Sequence, residues 1–224
     1  VNNKIALFGI AWWKWLSIIL ILYSLVVGML IEVPALPILN ESIRNLFYHV
    51  TQWFGMMILL TVSLVYSIGH LIKGKMATDR MAAESVNVAL FMGVIGILTG
   101  SLWAKFTWGA WWTNDPKLNG VAMGMLVYLA YIVLRGSMDE EQKRARVAAV
   151  YNIFAYVMFM VFIMVLPRLT DSLHPGNGGN PGFGGYDLNN SMKLVFYPAV
   201  IGWTLLGVWL VNLRVRIGQL ENNE

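Results

Sequence analysis

None of the 224 residues is cysteine, which excludes structural disulfides and thiolate metal sites. Charge is scarce as well. Asp, Glu, Lys and Arg make up 12% of the chain, about half the share of an ordinary soluble domain. The sequence carries no HExxH, no phosphate-cradling glycine loop ahead of a helix and no GxSxG elbow, so those metalloprotease, nucleotide and serine-hydrolase chemistries have no support. Ionisable side chains are almost missing from the middles of the long apolar runs, which argues against a chain that moves a charged substrate through its own core. The alternating ten-residue strands of a membrane barrel are absent too.

What is present is apolar sequence, 58% of the residues, gathered into six continuous runs. They cover approximately Trp12–Ile31, Phe47–Ile72, Ser85–Ala104, Gly120–Leu134, Val147–Leu166 and Lys193–Leu213. A bilayer core takes roughly 20 apolar residues of helix, and helix satisfies every backbone polar group within the segment. The expected fold is an all-α integral membrane protein, a six-transmembrane-helix bundle in which residues 1–224 form a single membrane domain. The first run is longer than a signal-peptide apolar region and lacks a small-residue cleavage site, so it reads as a retained span.

Basic residues are sorted by side. The N-terminus, the loops near 73–84 and 135–146 and the C-terminal tail hold Lys4, Lys14, Lys73, Lys75, Arg80, Arg135, Lys143, Arg144, Arg146, Arg214 and Arg216. The other side holds Arg44, Lys105, Lys117, Arg168 and Lys193. Eleven against five puts both termini in the cytoplasm. The net charge of +4 thus concerns the membrane and not nucleic acid. The outer connections are the longer ones: about Glu32 to Leu46, the tryptophan-rich stretch 103–119, and Arg168 to Met192. The last contains His174-Pro-Gly-Asn-Gly-Gly-Asn-Pro-Gly, a composition that implies a mobile loop with little regular structure.

Trp103, Trp108, Trp111 and Trp112 crowd ten residues of the second outer loop, beside Gly109, Asp115 and Pro116. Trp12, Trp13 and Trp15 fit an aromatic belt at the inner interface. The outer cluster fits either a belt or a flat apolar shelf for a large planar ligand. His49 and His174 flank it on the same side; each could be a solvated interfacial residue. Together they could also offer one imidazole to each face of a haem. Arg44, Lys105, Lys117 and Arg168 are the outer cations that could meet its carboxylates, or serve as membrane-edge anchors. Asp115 could orient the loop through its backbone or pair with Lys117. His70 reads as a polar helix end.

The run Leu98-Thr-Gly-Ser-Leu-Trp-Ala-Lys105, followed by Trp108-Gly-Ala-Trp-Trp-Thr-Asn-Asp-Pro-Lys-Leu118, resembles the WWD signature of haem-handling proteins of cytochrome c biogenesis. Ile43-Arg-Asn-Leu-Phe-Tyr-His-Val50 and Ser172-Leu-His-Pro-Gly176 resemble the histidine segments of the haem exporter protein C family, CcmC. The WWD loop alone is shared with the larger CcsA family. Asn114 stands where the family often has tryptophan, and Pro116 after the aspartate follows the CcsA pattern.

The resemblance implies an inner-membrane protein that binds haem b at its periplasmic face. His49 and His174 would be axial ligands, with the WWD loop (Trp103, Trp108, Gly109, Trp111, Trp112, Asp115) against the ring. It implies delivery of haem to a CcmE-like chaperone, beside CcmA/CcmB/CcmD-like subunits. Such a protein binds, orients and releases rather than making bonds of its own. The rivals are a CcsA-type cytochrome c synthetase subunit, a cytochrome b-type electron-transfer subunit and a permease subunit without cofactor.

Overall fold

The computed structural model describes residues 6–7, 10–174 and 188–221. The expected glycine-rich loop falls mainly on residues 175–187, and Lys4 near the start; both lie outside the described residues. After a two-residue antiparallel pairing of Ala6–Leu7 (β1) with Ile10–Ala11 (β2), the chain is helical. Helix α1 spans Trp12–Leu30, α2 Leu46–Lys73, α3 Met76–Trp108 and α4 Pro116–Gly136. Helix α5 spans Glu141–Met160 and runs through a π-helical turn, Val161–Val165, into the short α6, Leu166–Leu169; α7 spans Asn190–Glu221. Among the described residues six helical stretches, α5 through α6 counting as one, are long and apolar enough to cross a membrane.

The helices outrun the apolar runs that announced them. The third run, Ser85–Ala104, becomes Met76–Trp108, and the loop expected near 73–84 shrinks to a turn around Gly74 and Lys75. Apolar composition registers only the part of a helix that suits lipid. Polar turns such as Thr78-Asp79-Arg80 stay helical beyond it. For the same reason the tryptophan-rich stretch 103–119 is not all loop: Trp103 to Trp108 close α3 and Pro116 opens α4, leaving residues 109–115 between them.

Inside lipid the tails are as apolar as leucine, so close packing and polar contacts between helices hold a bundle together. Ser17 of α1 donates to the Gly202 carbonyl of α7 at 3.0 Å, and a Cβ at Gly202 would already press on Leu20 and Ile21 at 3.0 and 3.1 Å. Pro198 sits within α7 and cannot donate to the Leu194 carbonyl one turn earlier. The Tyr23 hydroxyl of α1 donates to that carbonyl at 3.3 Å. Pro167 poses the same problem after α5; the π turn that precedes it is the widening that relieves a proline clash. At that turn α4 comes so close that a Cβ on Gly120 would lie 2.3 Å from the Phe162 carbonyl oxygen.

Two apolar clusters form the interior. The larger joins α2, α3, α4, α5 and α7 around Met56, Leu60, Val86, Tyr128 and Phe159. The smaller packs Leu36, Ile43 and Phe47 against Met192, Val195 and Phe196, so the connection between α1 and α2 seats on the start of α7. Arg44 of a short 3₁₀ helix, Asn40–Asn45, donates to the carbonyls of Gly28 and Ile31 at 3.0 and 2.5 Å, closing the end of α1.

Candidate functional site

At the end of the bundle that carries residues 31–45 and 109–115, four helices splay around a cleft. It encloses about 260 Å³ and opens to the exterior. Part of its wall is apolar: Val50, Phe54 and Met57 from α2, Ile97 from α3, Val121 from α4 and Ile163 and Met164 from the π turn. Polar and aromatic groups ring the rest. These are His49, Trp53, Trp103, Trp112, Lys117, Arg168 and His174. His49 and His174 therefore share one cavity, although 125 positions separate them in the chain.

His49 stands in the first turn of α2, against α3. Its Nδ1 lies 2.9 Å from the Gly96 carbonyl oxygen and 3.3 Å from Thr99 Oγ1. A carbonyl only accepts, so Nδ1 carries the hydrogen and Nε2 keeps its lone pair. The ring fits because Gly100 has no side chain; a Cβ there would fall 2.5 Å from His49 Cε1. Trp53 and Trp103 meet the imidazole edge-to-face at 6.1 and 5.9 Å between centroids. The Trp103 indole is itself anchored, donating to Ser42 Oγ at 3.0 Å.

His174 lies five residues beyond the end of α6, and a single carboxylate sets its place. Asp115 Oδ1 is 3.0 Å from His174 Nδ1. The same oxygen accepts the backbone N–H groups of Lys117 and Leu118 at 2.9 and 3.3 Å, which makes Asp115 the N-cap of α4, with Pro116 in the first helical position. Its Oδ2 accepts from Ser172 Oγ at 2.8 Å and from the Leu173 N–H at 2.7 Å. Burial opposes ionisation of this carboxyl, yet the hydrogen bonds from His174, Leu173 and Ser172 hold it well below the usual carboxylate range. Trp108 closes on the other side of the imidazole, edge-to-face at 4.8 Å. Among the described residues no hydrogen bond uses Nε2 of either histidine.

The remaining candidates separate. Gly109 ends α3 in the left-handed conformation (φ 79°), which favours glycine, and Lys105 donates to its carbonyl at 3.0 Å. Trp111 is 58% exposed and outside the cavity lining. Arg44 and Lys105 do not line the cavity, whereas Lys117 and Arg168 do. Asn114 accepts from the Asn119 side chain at 2.7 Å. His70, at the far end of α2, is buried with Nδ1 3.0 Å from the Lys75 carbonyl oxygen.

Reading residue types one at a time missed Gly96, Thr99 and Gly100, which seat His49, and the contact of Asp115 with His174. Gly93, Gly96 and Gly100 form a small-residue stripe at helical spacing, the kind of face that lets membrane helices approach; that stripe was the available signal.

A sequence model described as "CcmC: Heme exporter protein C" matches residues 3–224. A protein named Heme exporter protein C from Bradyrhizobium diazoefficiens is 25% identical over 171 residues, 76% of this chain and 64% of that protein. The chain thus spans less than two thirds of that relative's length. Heme exporter protein C of Paracoccus denitrificans is 23% identical over 79% of this chain and 73% of its own length. Cytochrome c biogenesis protein CcsA of Synechococcus sp. is 30% identical over 88 residues, 39% of this chain and 28% of that protein.

Proposed function

The chain belongs to the heme exporter protein C family, and from that premise we propose that it handles haem for cytochrome c biogenesis. It binds haem b in the cleft, with His49 and His174 as axial ligands, on the periplasmic side of the inner membrane. It then delivers the haem to a CcmE-like chaperone, beside CcmA/CcmB/CcmD-like subunits.

One observation carries this reading: two imidazoles from distant segments line one indole-walled cleft, each with Nδ1 tied to the protein. That leaves Nε2 of each as the metal-binding nitrogen. Among the described residues no group of three or more His, Cys, Asp or Glu could hold a metal ion by itself. Two nitrogens suit a metal that arrives with its other four ligands, as iron does in a porphyrin. Trp53, Trp103 and Trp112 supply flat apolar walls for the macrocycle, and the other apolar side chains of the lining suit its hydrocarbon edge. Lys117 and Arg168 supply positive charge at the lining for the two propionates. Haem itself is the cargo; the protein's part is to grip the ring, fix the imidazole tautomers and let go.

The test is to purify the full chain with haem and compare spectra of His49→Ala and His174→Ala. Both variants are expected to lose the six-coordinate low-spin signature. Haem content and spectra equal to wild type in both would overturn the assignment. Loss of haem from the purified protein to an added CcmE-like chaperone, and retention without it, tests delivery and separates a carrier from an electron-transfer subunit.

A further inference from the structure

We propose that Asp115 is a positioning residue that makes the two imidazoles unequal, anchoring His174 as the retained ligand and leaving His49 as the one surrendered first when haem departs. The inference rests on the haem reading above and goes beyond it by giving the site an order of release.

The two Nδ1–H groups meet different acceptors. That of His49 meets a neutral backbone carbonyl, Gly96 O at 2.9 Å, with the Thr99 hydroxyl at 3.3 Å. That of His174 meets a carboxylate whose side chain is 1% exposed. A hydrogen bond to a buried charge is stronger than one to a neutral acceptor. It draws the proton away from Nδ1 and so raises the donor strength of Nε2 toward a metal. Greater donor strength favours ferric over ferrous iron at that nitrogen.

The mechanical anchoring is unequal too. Asp115 holds Lys117 N, Leu118 N, Ser172 Oγ, Leu173 N and His174 Nδ1 together. Displacing His174 therefore disturbs the cap of α4 and the whole 172–174 segment, and Trp108 packs on the far side. Swinging His49 out breaks its contacts with the Gly96 carbonyl, the Thr99 hydroxyl and the Trp53 and Trp103 rings, and opens no helix cap. A site with one fixed and one releasable ligand can hold haem against the cleft wall while presenting its other face to an acceptor.

The test uses the full-length protein with ferric haem in detergent. Haem dissociation constants are measured for His49→Ala and His174→Ala, alone and combined with Asp115→Asn, with midpoint potentials for wild type and the Asp115 single variants. Asparagine keeps an oxygen for the α4 cap but removes the charge. Asp115→Ser is the second variant, since serine also caps a helix but does not reach the imidazole.

His49→Ala is expected to bind haem on the order of 10–100-fold more tightly than His174→Ala, the usual reach of an outer hydrogen bond to a metal ligand. In the Asp115→Asn background that gap should close. The midpoint potential should rise in both Asp115 variants. Equal affinities for the two histidine variants, or an Asp115→Asn protein with wild-type potential and an unchanged gap, would overturn the proposal. The comparison of the two histidine variants decides it even where an Asp115 variant fails to fold. If neither histidine variant differs from wild type, the haem reading itself falls. If both differ from wild type but not from each other, only the unequal roles fall.

Discussion

At the end of the bundle that carries the 74–75 turn, polar side chains are matched to one another. Asp79 of α3 and Arg135 of α4 meet fork to fork at 2.7 and 2.5 Å, with Asp79 4% exposed. Asn152 of α5 donates to Ser63 and Ser67 of α2 at 2.7 and 2.8 Å, and Ser63 donates on to the Ala82 carbonyl at 2.8 Å. Arg214 of α7 pairs with Glu84 of α3. At the opposite end each imidazole is tied by its Nδ1 and lines a cleft. In lipid an unmatched polar group costs free energy. The first end converts most of its polar groups into ties between helices, with Asn152 Oδ1 left without a partner among the described residues, while at the second no hydrogen bond among the described residues uses Nε2 of either imidazole. Stability and ligand chemistry are thus segregated along the helix axes, and substitutions at the two ends should separate cleanly.

The largest expected effect lies at the matched end. Asp79→Ala removes the carboxylate from a partly buried guanidinium and should destabilise the fold by about 3 kcal/mol, measured by denaturant titration in micelles, while the folded fraction keeps its haem spectrum. A shifted spectrum would mean that the two ends are coupled. Next comes Arg168→Gln at the open end, which should weaken haem binding by about 1.5–3 kcal/mol if the guanidinium meets a propionate, with unfolding unchanged. Gly100→Ala places a Cβ 2.5 Å from His49 Cε1. It should cost about 1–3 kcal/mol of stability through overpacking and convert the low-spin spectrum toward a five-coordinate one. Retention of the wild-type spectrum would show that the ring has room to retreat. The smallest is Asn152→Ala, about 1 kcal/mol of stability with haem affinity unaltered.

The spans were legible because bilayer thickness imposes a length on apolar runs, and all six runs became helices. Their ends were not legible. Residues such as Thr78, Asp79 and Arg80 are too polar to look membrane-embedded, yet α3 begins before them and buries Asp79 against Arg135. At the site, residue type was enough to single out His49, His174 and the tryptophans, because imidazole and indole are scarce and chemically pointed. The seats of those groups were not readable. Gly100 matters only because α2 and α3 cross where His49 projects. Asp115 looked like a loop residue or a partner for Lys117, and its contact with His174 depends on the chain returning 59 positions later. Arg44 looked equivalent to Arg168 in sequence, but the carbonyls at the end of α1 hold it outside the cleft.

The π turn at Val161–Val165 sets an angular phase for everything downstream. In a regular α-helix each residue advances the azimuth by about 100°, whereas a π turn takes in one extra residue with little added rise. The turn therefore acts as a one-residue phase shifter: Arg168 comes to face the cleft, and the chain leaves α6 aimed at Asp115. Deleting one residue would keep Arg168 in phase, whereas winding all of the present residues as ordinary α-helix would rotate it by about 100°. His174 would then begin its approach from the wrong side of the bundle.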